Sequence, residues 1–106
     1  IISQKGDSKA YFGVSISSTY TSEVLAYYGY PSGAVVSTVA KGSPAYLAGI
    51  ERGDIITEFN GIKITEYTVF TDALYDCKGG DKVKVKIYRD GKTYTVNVTL
   101  ESETVN

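Results

Sequence analysis

KGSPAYLAGIERGDIITEFNG, residues 41–61, presents in order the local signals that decide the fold. Ser43 is suited to cap a helix, since its hydroxyl can accept from a first-turn amide, and Pro44 at the first helical position has no amide to leave unpaired. Gly49 can close that helix in the left-handed conformation. The spacing predicts a helix of little more than one turn over Pro44–Ala48, with Ala45 and Ala48 small enough to let it lie close against a neighbour. Gly53-Asp54 then turns the chain into a strand over Ile55–Phe59, and Asn60-Gly61 is a strong hairpin signal. Few folds need a one-turn helix, a tight turn, a strand and an Asn-Gly turn in that order.

Outside this stretch, Tyr11-Phe12-Gly13-Val14, Gly33-Ala34-Val35-Val36, Gly80-Asp81-Lys82-Val83 and Arg89-Asp90-Gly91 complete a pattern. Together with GSPAYLAGIERGDIITEFNG it resembles the signature of PDZ domains, in the form found in bacterial envelope proteases of the HtrA (Deg) type. The resemblance runs over about residues 10–100 and implies an α+β, mainly β architecture. This is a PDZ-like, partly open five-stranded barrel or sandwich with two main helices and one short one, in the circularly permuted bacterial arrangement. It divides the chain into a linker at 1–9 that follows an N-terminal protease domain, a PDZ domain at 10–100 and a tail at 101–106. The first residue, Ile1 rather than Met, agrees with a piece excised from a longer protein.

Composition sets independent bounds. With 106 residues, 42% hydrophobic, the chain is expected to form one globular domain with a modest core. A net charge of -1 gives no electrostatic reason for a nucleic-acid or anionic-membrane partner. No apolar run approaches the ~20 residues needed to cross a bilayer as a helix. The single cysteine, Cys77, excludes an internal disulfide and fits either a reducing compartment or a cysteine-poor envelope protein.

Along the chain, residues 10–17 (AYFGVSIS) read as a strand. Residues 21–28 (TSEVLAYY) read as a helix capped by Thr21 or Ser22 and stopped by Gly29 and Pro31, with Val24, Leu25 and Tyr28 on its core face. Tyr20, Tyr27, Tyr28 and Tyr30 are expected to cover the core, since no basic groove accompanies them as a nucleic-acid platform would require. Residues 33–39 form a mostly buried strand, and residues 62–64 a short strand paired with the one before Asn60. Residues 67–77 (YTVFTDALYDC) form the second main helix, capped by Thr65 or Glu66, with Phe70, Leu74 and Cys77 as a core stripe. Residues 83–89 and 92–100 alternate apolar and polar side chains around Asp90-Gly91, a hairpin with one wet face that includes Lys82, Lys84 and Lys86.

The resemblance also implies a binding groove. Its first wall is the segment Tyr11, Phe12, Gly13, Val14, Ser15 and Ile16, with the amides of Phe12, Gly13 and Val14 converging on a ligand carboxylate and the strand edge beyond open to an added strand. Read without the resemblance, this is an edge strand in which Gly13 tolerates close packing. The second wall is the helix row Tyr67, Thr71 and Leu74. Val14, Ile16, Leu74 and the Thr71 methyl would line an apolar pocket that prefers a hydrophobic C-terminal residue. Phe12, larger than the aliphatic side chain commoner there, is expected to narrow the carboxylate loop.

Histidine-dependent catalytic chemistry finds no carrier, and although composition leaves a Ser-Lys dyad open, nothing places one in a cleft. The chain contains no histidine, so a Ser-His-Asp triad, a Cys-His pair and a His-bearing zinc site are all excluded, and Cys77 reads as a small core residue. No catalytic residue, metal or cofactor is expected. The resemblance implies a non-enzymatic peptide-binding module that serves substrate recognition or regulation for a trypsin-like serine endopeptidase of the cell envelope. Its partners would be C-terminal or extended peptide segments and its own protease domain, with no nucleic acid and no membrane contact by this domain. The extracytoplasmic parent would be membrane-anchored or secreted through a preceding segment. Alternative parents with such domains are a C-terminal processing protease, an intramembrane metalloprotease, and a non-catalytic scaffold or secretion module.

Overall fold

Ser43 and Gly49 act as their chemistry predicts. In the computed structural model, which describes residues 9–103, the Ser43 hydroxyl accepts from the Tyr46 amide at 3.2 Å and Gly49 adopts φ 92° as the helix cap. The elements in order are β1 Lys9–Tyr11, β2 Val14–Ile16, α1 Ser22–Tyr27, β3 Ala34–Val39, α2 Pro44–Ala48 and β4 Ile55–Phe59. They continue with β5 Ile62–Lys63, α3 Tyr67–Tyr75, β6 Lys82–Arg89, β7 Lys92–Thr99 and β8 Glu101–Glu103.

The main sheet runs β2-β3-β4-β6-β7, all antiparallel, with β5 attached to β4 through the Asn60-Gly61 turn. This five-strand path with two longer helices and the one-turn α2 is the mainly β architecture expected. Register in the β6–β7 hairpin is regular from Lys82↔Thr99 to Arg89↔Lys92. Its alternation puts Val83, Val85, Ile87, Val98 and Leu100 in the core and leaves Lys82, Lys84 and Lys86 in solvent. A second, two-stranded sheet pairs β1 with β8 from Lys9↔Glu103 to Tyr11↔Glu101. Thus Lys9 and 101–103, expected as linker and tail, pair with each other at the domain margin; residues 1–8 and 104–106 lie outside the described residues.

All three phenylalanines of the chain meet at the centre. Phe12, Phe59 and Phe70 are buried, with ring centroids 5.7, 5.5 and 5.3 Å apart in edge-on and tilted pairs. Such pairs add roughly 0.5–1.5 kcal/mol each beyond area burial. They couple three elements far apart in sequence: the loop after β1, the end of β4, and α3.

Two expectations need correction at the helices. Tyr28, placed on the core face, is 62% exposed, and Tyr27 is 83% exposed. At six residues α1 is too short for a broad apolar stripe, and Leu25 is its only buried residue. The tyrosines therefore stand on the surface, Tyr27 against Tyr28 and Tyr30 against Tyr88, instead of covering the core. The second main helix, expected over 67–77, ends at Tyr75; Phe70 within it and Cys77 just beyond it are buried as expected, whereas Leu74 is only half-buried and Ala73 takes the inner position.

Candidate functional site

Among the described residues β2 is an edge strand: it has β3 on one side and no strand on the other. On the β3 side, Ala40 N–H donates to the Gly13 carbonyl at 2.8 Å and Ser17 N–H to the Val35 carbonyl at 2.9 Å. Antiparallel alternation then aims the amides of Val14 and Ile16 away from β3, toward the open edge.

The loop before β2 is fixed by its carbonyls. Ala45 N–H, in the first turn of α2, donates to the Phe12 carbonyl at 3.0 Å, and the Gly13 carbonyl is held by Ala40. Among the described residues, neither the Phe12 amide nor the Gly13 amide donates to a backbone carbonyl. Gly13 makes this peptide geometry possible. Its φ is 94°, and a Cβ there would sit 2.1 Å from Ser43 Cβ, so both conformation and space demand glycine. The α2 cap is thus also the floor beneath the loop.

Facing this loop is a hollow of about 480 Å³. Tyr11, Phe12, Gly13, Val14, Ser15 and Leu74 line it, and of the three expected α3 residues only Leu74 does so. Ile16 and Tyr67 pack against the core cluster, and Thr71 is exposed, its hydroxyl donating to the Thr68 carbonyl at 2.9 Å. The apolar pocket expected from four side chains therefore has Val14 and Leu74 at its wall, without Ile16 or the Thr71 methyl. Phe12 contributes backbone only: its ring is 1% exposed in the aromatic core, so it does not narrow the loop. Ala10, Thr38, Val39 and Ala40 complete the lining. The last three arrive through the pairing Val14↔Val39 and Ser15↔Thr38, a register that no local sequence signal specifies.

A larger hollow, about 790 Å³, lies under Tyr20, Tyr30 and Tyr88. Its backbone is already committed, since β3 pairs with β2 and β4 there, and its buried Asp54 is paired with the partly exposed Arg89. It offers no open strand edge.

Cys77 is buried, and its thiol donates to the Ala73 carbonyl at 3.4 Å. Burial pushes its pKa up, and the nearby charges of Asp81 and Asp76 push it further, so the thiol stays protonated and unreactive. At pH 8, alkylation of the native protein is expected to be slower than that of the urea-unfolded chain by on the order of tenfold or more. Equal rates in a timed iodoacetamide assay would contradict that placement.

Comparison with known proteins finds similarity over most of the chain. The PDZ domain family matches residues 10–100. A probable periplasmic serine endoprotease, DegP-like, of Marinomonas sp. (strain MWYL1) is 40% identical over 97 residues, 90% of this chain and 20% of its own length. The serine protease Do-like HtrA of Lactococcus lactis subsp. cremoris is 44% identical over 72 residues, 68% of this chain and 18% of its own. This chain therefore spans about a fifth of the length of the curated relatives it matches. Two solved structures share the fold. The HtrA-type protease AlgW with decapeptide has a TM-score of 0.77 at 17% identity, over 93% of this chain and 31% of that one. The HtrA3 PDZ domain bound to a phage-derived ligand (FGRWV) has a TM-score of 0.74 at 22% identity, over 90% of this chain and 88% of that one.

Proposed function

The chain belongs to the PDZ domain family, and from that premise we propose that it captures C-terminal or extended peptide segments by strand addition along the open edge of β2. The observation that carries this reading is the unspent amides of Phe12 and Gly13 at the head of an unpaired strand edge. The terminal carboxylate would accept from these amides, and the peptide backbone would pair with the outward amide and carbonyl groups of Val14 and Ile16. The last side chain would enter the hollow between Val14 and Leu74, which favours an apolar residue. Tyr67 and Thr71, farther toward the start of α3, would meet earlier residues of the peptide.

In the same reading, the domain at 10–100 serves a trypsin-like serine endopeptidase of the cell envelope, with catalysis carried by another part of that protein. Two features support it: relatives at 40% and 44% identity are named as serine proteases, the first as periplasmic, and the chain itself contains no histidine. Affinity would be on the order of micromolar, about -8 kcal/mol, since a flexible peptide loses conformational entropy on ordering.

Amide NMR shift mapping tests the reading directly, using short peptides that end in an apolar residue as either the free acid or the amide. Free acids are expected to shift Phe12, Gly13 and Val14 and to saturate, with the amides at least about tenfold weaker because charge-assisted bonds to the carboxylate are lost. Equal binding of acids and amides would remove the carboxylate role, and no response at millimolar peptide would remove the groove.

A further inference from the structure

The hollow of about 790 Å³ shares no lining residue with the one beside the Phe12-Gly13 loop, and three tyrosines from separate parts of the chain converge on it. Tyr20 precedes Thr21, the N-cap of α1, and Tyr30 follows that helix, its amide donating to the Leu25 carbonyl at 2.8 Å. Leu25 is buried and lines the same hollow, so seating α1 on the sheet brings both flanking tyrosines to it. Tyr88 comes from β6, and its ring meets that of Tyr30 in a T-shaped pair at 6.0 Å, which orients both.

These side chains are available to a ligand. Tyr20 and Tyr30 are 41% and 48% exposed. Among the described residues, the three tyrosine hydroxyls and the guanidinium of Arg52, which also lines the hollow, have no hydrogen-bond partner. Tyrosine and arginine on a concave surface are the groups that carry most recognition energy at interfaces.

The chemistry of the lining selects among ligands. An added strand has no edge to pair with there, since β3 lies between β2 and β4. An anion is disfavoured, because Glu51, Asp54 and Asp90 outnumber Arg52 and Arg89, and Arg89 is committed to Asp54. Among the described residues no group of three side chains is suited to a metal ion. A segment in the polyproline II conformation satisfies all of these conditions. Its backbone makes no internal hydrogen bonds and its prolines carry no amide hydrogen, so it needs donors and no strand edge. The tyrosine hydroxyls and Arg52 are such donors, and the ring faces offer flat apolar surface to the pyrrolidines. Asp90, exposed and without an ion-pair partner among the described residues, leaves a negative charge for a lysine or arginine beside the prolines.

We propose that this hollow is a second binding site of the domain, taking a proline-rich segment flanked by a basic residue. Such a segment arrives already extended, so it loses little conformational entropy on binding. The proposal does not depend on the peptide-binding reading of the β2 edge.

The probe is a peptide of nine prolines followed by one arginine, acetylated and amidated at its ends so that it offers no carboxylate to the Phe12-Gly13 loop. Amide shift titration on the full 106-residue chain is expected to give saturable changes at Ser37, Gly53 and Gly91, with Phe12, Gly13 and Val14 unmoved. A blocked peptide with glycine and serine in place of the prolines is expected to bind at least about tenfold weaker. Tyr30→Ala should weaken the proline peptide at least about fivefold, and Tyr20→Ala gives the same reading should Tyr30→Ala not fold. Asp90→Asn, which the left-handed backbone at that turn tolerates, should remove any preference for the arginine-bearing peptide over blocked decaproline. No saturation at millimolar peptide, shifts confined to the Phe12-Gly13 loop, or equal binding of the glycine-serine peptide overturns the inference. So does saturation of the same amides by maltohexaose and not by the proline peptide, which would make the hollow a sugar site. A preference for arginine that survives in Asp90→Asn overturns the role given to that charge.

Discussion

Arg89→Ala is expected to lower the unfolding free energy by about 3–5 kcal/mol, because it leaves a buried carboxylate without its ionic partner. Asp54 is 2% exposed, and Arg89 binds it as a fork, Nε to Oδ1 at 2.7 Å and Nη2 to Oδ2 at 2.6 Å. The same Nη2 donates to the Gly49 carbonyl at 2.8 Å, and Asp54 Oδ2 also accepts from the Glu51 amide at 2.8 Å. One guanidinium therefore ties the end of α2, the turn into β4 and the end of β6. Asp54 raises the pKa of Arg89 still higher, chiefly through the hydrogen bond, so this cation persists at any working pH. Arg89→Lys keeps the charge but not the planar fork, and an intermediate loss is expected. Urea denaturation of the three proteins measures this, and thermal melts should show a fall in Tm of more than about 10 °C for Arg89→Ala. A stability within 1 kcal/mol of wild type would show that the pair contributes no more than an exposed surface bridge does.

The consequence reaches the proposed groove through α2. Arg89 holds the Gly49 end of that helix, and the amide of Ala45 near its other end holds the Phe12 carbonyl. A variant that loosens α2 without unfolding the domain should therefore also weaken binding of free-acid peptides. The stabilising pair and the carboxylate loop are linked by a helix of five residues.

Local chemistry made most of this fold legible. The Ser43 cap, Pro44 and Gly49 bound α2, and the turns at Asn60-Gly61 and Asp90-Gly91 both take positive φ at the non-glycine residue, Asn60 at 52° and Asp90 at 50°. Each is decided within a few residues. What escaped the sequence depends on partners distant in the chain. The β1–β8 pairing joins the two margins of the domain through strands of three residues, too short to show a period. Glu66 looks like a cap by position but is used as a bridge to Ser22, which only the tertiary arrangement supplies. At the site, Gly13 and its neighbours came from a family resemblance, whereas Thr38, Val39 and Ala40 entered through strand register. On α3, the row Tyr67, Thr71 and Leu74 rests on the same resemblance, and only Leu74 lines the hollow beside the loop.

Gly13→Ala is expected to separate steric from conformational strain and to remove peptide binding. The new Cβ would meet Ser43 Cβ at 2.1 Å and Oγ at 2.3 Å, an overpacking that costs about 1–3 kcal/mol, and the φ of 94° adds roughly 1–2 kcal/mol for any residue with a side chain. Ser43→Gly removes the obstructing atoms and, as a cap replacement, should cost only a few tenths of a kcal/mol. The double variant should therefore recover the steric part of the loss and retain the conformational part. Peptide affinity should not recover with it. An alanine relaxing toward negative φ turns the peptide planes on both sides of residue 13, so the Phe12 and Gly13 amides no longer converge, and free-acid affinity should fall more than about tenfold in both variants. Denaturant melts and shift titrations on the four proteins of this cycle measure the two effects separately. Wild-type affinity in the double variant would mean that space alone, and not the left-handed backbone, is what glycine provides at this loop.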